Sequence, residues 1–191
     1  IAHYGAIADE VEIPIMLYNV PGRTGVSLAS ASVAALAKHP KITAIKEASG
    51  SVSFASEIID AVGREGLELQ LLTGDDALFL PTLAIGGCGV VSVASNLFPR
   101  AMCAIQKAFD VSDMRQATEI HRKFSPLFRD LFIESNPVPI KSAMAYAGWC
   151  DDYVRGPLVG LAAASRQKLL SSLERCDIPQ GQSAAGEETR R

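Results

Sequence analysis

The sequence predicts an α/β fold in which parallel strands alternate with helices. Hydrophobic residues make up 48% of the 191 residues and charged residues 20%, a balance typical of a globular chain with a sizeable core. Apolar segments of strand length alternate with segments whose apolar residues recur at helical spacing. Strands that alternate with helices pair in parallel through right-handed crossovers. The four predicted strands are 13–20, 41–49, 67–76 and 88–96.

The segment before the first strand is predicted to be helical up to about Val11. It has the pattern of the later part of an amphipathic helix and starts at Ile1, so we expect the chain to belong to a longer polypeptide. The first strand, 13–20, carries bulky apolar residues on both of its faces. This pattern is typical of a strand that is covered on both sides.

The helices that alternate with the strands have recognisable starts and ends. The segment 27–40 has helical periodicity, with Ser27 or Ser30 as a candidate N-cap and Pro40 as a stop. Two further helices are predicted between the later strands, at 51–66 and 77–87.

Beyond the fourth strand, the chain is predicted to form helices only. Pro126 lies inside the second of these helices and is expected to kink or split it. The end of the chain has almost no apolar residue, so we expect it to be disordered. The predicted regions are an α/β region at 1–97, a helical region at 98–176 and a disordered tail at 177–191.

Composition also argues against several classes of function. The net charge of −3 gives no electrostatic reason to expect nucleic acid or an anionic membrane as a partner. No apolar run is long enough for a spanning helix, and the start lacks the pattern of a secretion signal, so we expect a soluble, cytoplasmic protein. The four cysteines form no C-x-x-C pair, so we interpret them as reduced, mostly buried thiols and expect no metal site. The glycines at 86–89 enter a strand, whereas a dinucleotide-binding loop leaves one.

Lys46 carries the strongest chemical signal in the sequence. The two-residue period of a strand places Lys46 on one face with Ala44 and Ala48, and Glu47 on the other face. Glu47 is therefore poorly placed to neutralise the ammonium group. Burial among alanines favours the free amine, which attacks carbonyl carbons and forms a Schiff base. Spacing alone supports equally well a lysine at a strand end whose amine reaches water.

Tyr18 lies at the C-terminal end of the first predicted strand, and Lys46 lies at the corresponding end of the second. The C-terminal ends of parallel strands meet at one rim, where active sites are built. Neighbouring strands are about 4.8 Å apart, so a phenol and an amine at adjacent ends can share a substrate. We predict that Tyr18 relays protons to and from a carbinolamine. Taken alone, an aromatic packing residue is the commoner explanation.

Arg23 follows the predicted Pro21-Gly22 turn at the same rim. A guanidinium group there is suited to bidentate binding of a carboxylate, so the sequence predicts an acidic small-molecule substrate. The alternative is a solvated arginine in a loop.

Three other sites at strand ends are candidates for weaker roles. Gly74 ends the third strand and permits a ligand to approach the backbone closely. Asp75 and Asp76 are expected to cap the next helix, since no other ligand near them supports a metal site. Val91 and Ser92 end the fourth strand and are able to present backbone carbonyls or a hydroxyl, although core packing explains the valine equally well.

The motifs taken together, in this order and at this spacing, resemble the dihydrodipicolinate synthase family, also called the N-acetylneuraminate lyase superfamily. The resemblance covers nearly everything from about Ile13 to Arg155. It implies a (β/α)8 TIM barrel with a C-terminal helical extension and a homotetramer arranged as a dimer of dimers. The motifs are YNVPGRTG at 18–25, IKEASG at 45–50, GDD at 74–76, GGCGVVSVASN at 86–96 and NPVPIK at 136–141.

The resemblance also implies a reaction without a cofactor or metal. Lys46 is implied to be the lysine that forms a Schiff base with pyruvate, and Tyr18 the proton relay. Arg23 is implied to bind the carboxylate of the second substrate, and the main chain of Val91 to lie beside the bound pyruvate. Gly74 is predicted to be a further substrate-binding residue from its place at the end of the third strand. The implied reaction condenses pyruvate with L-aspartate 4-semialdehyde to 4-hydroxy-tetrahydrodipicolinate in lysine, or diaminopimelate, biosynthesis.

The resemblance identifies the four strands as the fifth to eighth of the barrel, so we expect half a barrel that is inactive by itself. The lysine and tyrosine are shared across the superfamily, which leaves N-acetylneuraminate lyase or a sugar-acid aldolase as the runner-up. The arginine after Pro-Gly favours the synthase. A non-catalytic truncated homologue is the third possibility.

Overall fold

The computed structural model describes residues 1–178 and contains two compact units, Ile1–Val91 and a second unit that begins at Ser92. Most of the tail predicted to be disordered, residues 179–191, lies outside the described residues. Among the described residues, no helix is both long enough and apolar enough to cross a membrane.

The first unit is a four-stranded parallel sheet with helical connections, as the sequence predicts. The strands are hydrogen-bonded in the order β1-β2-β3-β4, so each strand pairs with the next one along the chain. The elements are α1 (Ala2–Glu10), β1 (Ile15–Asn19), α2 (Pro21–Thr24), α3 (Ser30–Leu36), β2 (Ile42–Glu47), α4 (Val52–Arg64), β3 (Gln70–Thr73), a 3-10 turn (Asp76–Leu78), α5 (Phe79–Ala84) and β4 (Gly89–Val90).

The core of this unit lies on one face of the sheet. Leu17, Ile45 and Leu71 occupy the middle of three adjacent strands and pack in one cluster with Val33 of α3 and Ile58 of α4. All five side chains are almost completely buried. Burying one side chain of this size stabilises the fold by about 1.5–3 kcal/mol, so this face holds the sheet and its helices together.

The opposite face of the sheet is open within the described residues. Met16 and Tyr18 alternate with the buried Leu17, and they remain 46% and 41% exposed. The prediction that the first strand is covered on both sides is therefore wrong for this chain. The helices α3 and α4 pack on the face that holds Leu17, which leaves the alternate positions uncovered.

Several predicted boundaries also differ from the observed elements. The predicted Pro21-Gly22 turn is the short helix α2, because proline is well accommodated in a first helical turn. Neither candidate serine caps α3: Ala29 is the N-cap, and the hydroxyl of Ser30 donates instead to Glu57 Oε1 at 2.5 Å. β4 is only two residues long, Gly89–Val90, against the predicted strand at 88–96.

The described part of the second unit consists of helices and contains no strand. Its elements are a 3-10 turn (Ala94–Asn96), α6 (Pro99–Asp110), α7 (Met114–Asp130), α8 (Val138–Tyr146) and α9 (Ala163–Leu173). The predicted split at Pro126 is not observed, because α7 continues through it. Leu127 and Phe128, directly after the proline, are each 1% exposed, so core packing holds the helix on that side despite the lost hydrogen bond.

A buried polar contact links α7 to α9. Asp130 is 3% exposed and accepts a hydrogen bond from the Ser172 hydroxyl at 2.5 Å. Its second oxygen lies 3.5 Å from Lys168 Nζ. The aspartate is thereby paired at both oxygens, as a buried carboxylate requires.

The interpretation of the cysteines as mostly buried is wrong. All four are free thiols, but only Cys176 is buried, whereas Cys88, Cys103 and Cys150 are exposed. Cys103 shows the reason, since it follows the buried Met102 on α6 and so falls on the solvent face of that helix.

Candidate active site

Lys46 and Tyr18 come together at the C-terminal end of the sheet. They are direct partners in the parallel pairing of β1 with β2. Lys46 Nζ lies 4.0 Å from the centre of the Tyr18 ring. The ammonium form of the amine is attracted to the negative face of the ring in this geometry. The prediction that these two side chains meet at one rim is thus confirmed as a matter of geometry.

Both side chains point to the open face of the sheet. Lys46 is half-buried, and its register partner on β3 is Leu72. Tyr18, Lys46 and Leu72 therefore form a row across three strands, at a face to which a small molecule has access. A nucleophile needs such access, and the row provides an amine beside a phenol.

Gly74 makes room for the Lys46 side chain. A Cβ atom at Gly74 would lie 2.9 Å from Lys46 Cε and 2.7 Å from Ala48 Cβ, which is closer than such atoms approach. The backbone of Gly74 is fixed here, because its amide donates to the Glu47 carbonyl at 2.7 Å. Only glycine leaves the lysine its observed position at this point. Contact between Gly74 and a ligand stays a prediction.

Glu47 points away from Lys46, as the strand period predicts. It is 3% exposed, and its Oε1 accepts hydrogen bonds from Asn19 Nδ2 and from the Ser49 amide, both at 2.9 Å. The carboxylate is occupied on the helix-facing side of the sheet and does not pair with the amine.

Asn19 also belongs to this part of the sheet, although it is not among the residues predicted from the sequence. This residue is 2% exposed, and besides donating to Glu47 it accepts a hydrogen bond from the Leu28 amide at 3.0 Å. A signal for it exists in the sequence, because Asn19 directly follows Tyr18 as Glu47 directly follows Lys46. Only the pairing of β1 with β2 places these two polar residues at the same height and on the same face, where they form a buried pair.

Arg23 lies in α2, which follows β1 at the same end of the sheet. Its side chain is exposed. The helix ends at Gly25, whose φ of 72° is a left-handed conformation that glycine adopts readily. The segment with Arg23 thus leaves the rim of the sheet and turns sharply, and binding of a carboxylate by Arg23 stays a prediction.

Of the remaining candidates, Asp75 and Asp76 have structural positions, and the role of Val91 is untested. Asp75 caps the 3-10 turn, as predicted, by accepting from the Ala77 amide at 2.9 Å. Asp76 is wholly buried inside that turn and is not the cap. Val91 is 37% exposed, and its amide donates to the Thr73 carbonyl at 2.8 Å. The role of Val91 beside a substrate stays a prediction.

No group of three or more His, Cys, Asp or Glu side chains within residues 1–178 is arranged to hold a metal ion. Cys88 is exposed as a residue, but partial burial of its thiol raises the pKa of this group, and the thiol donates to the Leu71 carbonyl at 3.5 Å. Cys88 directly precedes β4 and is level with Leu71 of β3, one residue before the row that contains Lys46 and Leu72.

The sequence was compared with models of known protein families. The model of the dihydrodipicolinate synthetase family matches residues 1–176. The chain belongs to this family. The predicted α/β class is confirmed, since the sheet is parallel and the solved structures that resemble the chain are TIM-barrel enzymes, whereas the assignment of its strands to the second half of a barrel stays a proposal.

Relatives in the dihydrodipicolinate synthetase family share much of the sequence. The 4-hydroxy-tetrahydrodipicolinate synthase of Trichlorobacter lovleyi is 47% identical over 87% of this chain and 57% of its own length. The synthase of Geotalea uraniireducens is 46% identical over 90% of this chain and 58% of its own. The chain therefore spans less than two thirds of the length of the curated relatives that it matches.

Solved structures of family members match closely as well. The 4-hydroxy-tetrahydrodipicolinate synthase from Methylacidiphilum fumariolicum SolV has a TM-score of 0.87 at 44% identity, over 91% of this chain and 57% of that one. The chloride-inhibited dihydrodipicolinate synthase from Acinetobacter baumannii, solved in complex with pyruvate, has a TM-score of 0.85 at 38% identity, over 91% of this chain and 59% of that one.

Proposed function

We propose that the protein to which this chain belongs is a class I, Schiff-base lyase that condenses pyruvate with L-aspartate 4-semialdehyde. The product is 4-hydroxy-tetrahydrodipicolinate, an intermediate of lysine and diaminopimelate biosynthesis. The observation that carries the proposal is the position of Lys46 Nζ, 4.0 Å from the centre of the Tyr18 ring at the ends of adjacent strands. Family membership and relatives named as this synthase support it.

The first step forms the imine. The free amine of Lys46 attacks the keto carbon of pyruvate, and the keto oxygen takes up a proton to give a carbinolamine. Loss of the hydroxyl group as water then leaves a carbon–nitrogen double bond to Lys46. Tyr18 is placed to donate the proton that the departing hydroxyl needs and to recover one from the amine.

The second step forms the new carbon–carbon bond. Loss of a proton from the pyruvate methyl carbon converts the imine to an enamine, whose carbon attacks the aldehyde carbon of the semialdehyde. The aldehyde oxygen takes up a proton and becomes a hydroxyl. The amino group of the semialdehyde then displaces Lys46 from the imine carbon, which closes the ring and restores the free amine.

Arg23 is proposed to hold the carboxylate of the semialdehyde. Its guanidinium group lies on the segment that leaves the rim after Tyr18, and its fork of donors matches a carboxylate. Gly74 and the main chain of Val91 are proposed to line the pyruvate subsite, since both follow strands at the same end of the sheet as Lys46. We propose a homotetramer, a dimer of dimers, for the full-length protein.

Borohydride trapping tests the function. Reduction of the full-length protein with pyruvate is expected to attach a stable adduct to Lys46, because borohydride reduces the imine to an amine that does not hydrolyse. The Lys46→Ala variant should lose the adduct completely, as measured by mass spectrometry of peptides. Lys41→Ala is the matched control, since Lys41 directly precedes the other end of β2. A full-length protein that is folded but never labelled would leave the non-catalytic homologue as the better explanation.

The runner-up is a pyruvate-dependent aldolase with another aldehyde substrate, such as N-acetylneuraminate lyase or a sugar-acid aldolase. The position of Arg23 after β1 favours a carboxylate-bearing aldehyde over a neutral sugar. Turnover with aspartate semialdehyde, and none with N-acetylmannosamine, is the expected result. The reverse preference would assign the protein to the lyase branch.

A further inference from the structure

We infer that Asn19 and Glu47 are positioning residues for the proposed reaction: this buried pair fixes Tyr18, Lys46 and the segment that carries Arg23 relative to one another. The inference rests on the proposed function, because it concerns the geometry of the reacting side chains. It adds two residues that do not touch the substrate.

The pair lies directly behind the two reacting side chains. Asn19 and Glu47 are register partners, each one residue beyond Tyr18 and Lys46, and they point to the opposite face of the sheet. The hydrogen bond from Asn19 Nδ2 to Glu47 Oε1, at 2.9 Å, joins the ends of β1 and β2 where the backbone ladder is about to stop. A shift of either residue moves the side chain next to it, because the two share a peptide bond.

Burial makes the pair rigid. Asn19 is 2% and Glu47 3% exposed, so water is poorly placed to replace a lost partner. Leaving a buried polar group without a partner destabilises the fold, and more so when the group is charged. Glu47 Oε1 also accepts from the Ser49 amide at 2.9 Å, which fixes the chain on the far side of Lys46.

Asn19 also positions the segment that carries Arg23. Its Oδ1 accepts from the Leu28 amide at 3.0 Å, and Leu28 comes after α2 and the Gly25 turn. The segment between Asn19 and Leu28 is thus closed at its two ends by a single side chain. Arg23, exposed in the middle of this segment, depends on that closure for its position.

Exchanging the amide and the carboxyl group between positions 19 and 47 tests the inference. In the full-length protein, Asn19→Asp places a second carboxyl group against Glu47 and removes the donor between them. We expect imine formation at Lys46 to slow by about 10- to 100-fold per folded molecule, since a displacement of about 1 Å costs rates of that order. Adding Glu47→Gln restores the pair: the new amide group donates to the carboxyl group at position 19, and its oxygen accepts from the Ser49 amide. Only one carboxyl group then remains. The double variant should therefore recover most of the rate.

The KM for the aldehyde distinguishes the two hydrogen bonds of Asn19, the one to Glu47 and the one from the Leu28 amide. Asn19→Asp keeps an acceptor for the Leu28 amide, so the KM for aspartate semialdehyde should change little. Asn19→Ala loses this acceptor too, and the KM should rise together with the slower imine formation. A side chain needed for stability alone would move neither quantity once the rate is expressed per folded molecule.

Ser30→Ala is the matched control, because it removes an exposed hydrogen bond between α3 and α4 in which neither Asn19 nor Glu47 takes part. The folded fraction is measured by circular dichroism, and imine formation by borohydride quenching at timed intervals. A folded Asn19→Asp variant that reacts at the parent rate overturns the inference, and so does a folded double variant as slow as the single one. A parent protein that forms no adduct at all refutes the proposed function, and the inference with it.

Discussion

At Tyr18 and Lys46, the two-residue period of a strand places the reacting side chains on one face of the sheet and the side chains that hold them on the other. Each points to the open face of the sheet, and the residue after it, Asn19 or Glu47, points into the buried side. The reacting groups keep access to a substrate while their neighbours carry the hydrogen bonds that hold them. The sequence predicts the first half of this arrangement from one strand, but the partner of Glu47 becomes visible only when β1 and β2 are paired.

Gly74 gives a prediction at the level of a single residue. Gly74→Ala puts a Cβ atom 2.7 Å from Ala48 Cβ and 2.9 Å from Lys46 Cε, so the lysine or the strand end has to move. We expect a loss of about 1–3 kcal/mol in the free energy of unfolding, typical of overpacking. Imine formation with pyruvate should also slow, by about 100-fold for a displacement near 1 Å. Urea unfolding and borohydride quenching measure the two effects.

Gly63→Ala is the control for this variant. Gly63 lies in α4, and a Cβ atom there meets no other atom within 4 Å. It should stabilise the protein by about 0.5–1 kcal/mol, because alanine loses less backbone entropy in a helix than glycine does. If Gly74→Ala and Gly63→Ala had the same effect on the free energy of unfolding and on the rate of imine formation, crowding at Gly74 would be contradicted.

At the level of elements, packing overrides local signals. Pro126 is a helix breaker by its covalent structure, yet α7 runs from Met114 to Asp130 because buried residues anchor its last turns in the core. Pro21, conversely, starts a short helix where the sequence predicts a turn. Proline fixes φ at a helical value, so it is well accommodated in the first turn of a helix, as at Pro21. Inside a helix it costs one backbone hydrogen bond, and at Pro126 the buried residues that follow compensate for this loss.

His121 of α7 gives a prediction about pH. Burial beside Phe128, whose ring centre is 5.6 Å away, lowers the pKa of His121 below its ordinary value of 6.5. Between these two pKa values the unfolded chain binds a proton that the folded chain does not bind. The free energy of unfolding should therefore fall as the pH drops below about 6.5.

Urea unfolding of the full-length protein at pH 7.5 and 5.5 measures this loss. The His121→Gln variant should show a smaller decrease between the two pH values, because its amide does not titrate. His3→Gln is the control, since His3 is exposed on α1, and its decrease should match that of the parent. A decrease unchanged by His121→Gln would mean that other groups cause the acid sensitivity.

At the level of the whole molecule, the sheet has two unpaired edges and an uncovered face. Within residues 1–178, β1 and β4 each pair with one neighbour only, and Tyr18 and Met16 are exposed on the open face. A closed barrel removes both features, because every strand gains a second neighbour and the inner face is enclosed. We propose that these strands are the fifth to eighth of the family's barrel and that residues 1–97 form its second half.

One observation supports this order. The described residues after β4 form helices and no strand, as expected of a helical extension that follows a last strand, proposed to be 98–176.

Completion of the barrel tests this proposal. We expect that joining the N-terminal half of the Trichlorobacter lovleyi synthase before Ile1 produces a folded protein that pyruvate and borohydride label at Lys46. The chain alone should not be labelled, since its open face lacks half of the site. The control adds the same half after residue 178. Labelling of the control and not of the first fusion would contradict the proposed strand order.

The sequence by itself determined the alternation of strands and helices, the face on which Lys46 lies, and the rim that it shares with Tyr18. These follow from short-range periodicity and from the direction of parallel strands, which local residues specify. The tertiary structure alone decided that Asn19 binds Glu47, that Gly74 makes room for Lys46, and which face of the first strand is covered. Those outcomes depend on which residues become neighbours across strands, and packing between distant segments sets that choice.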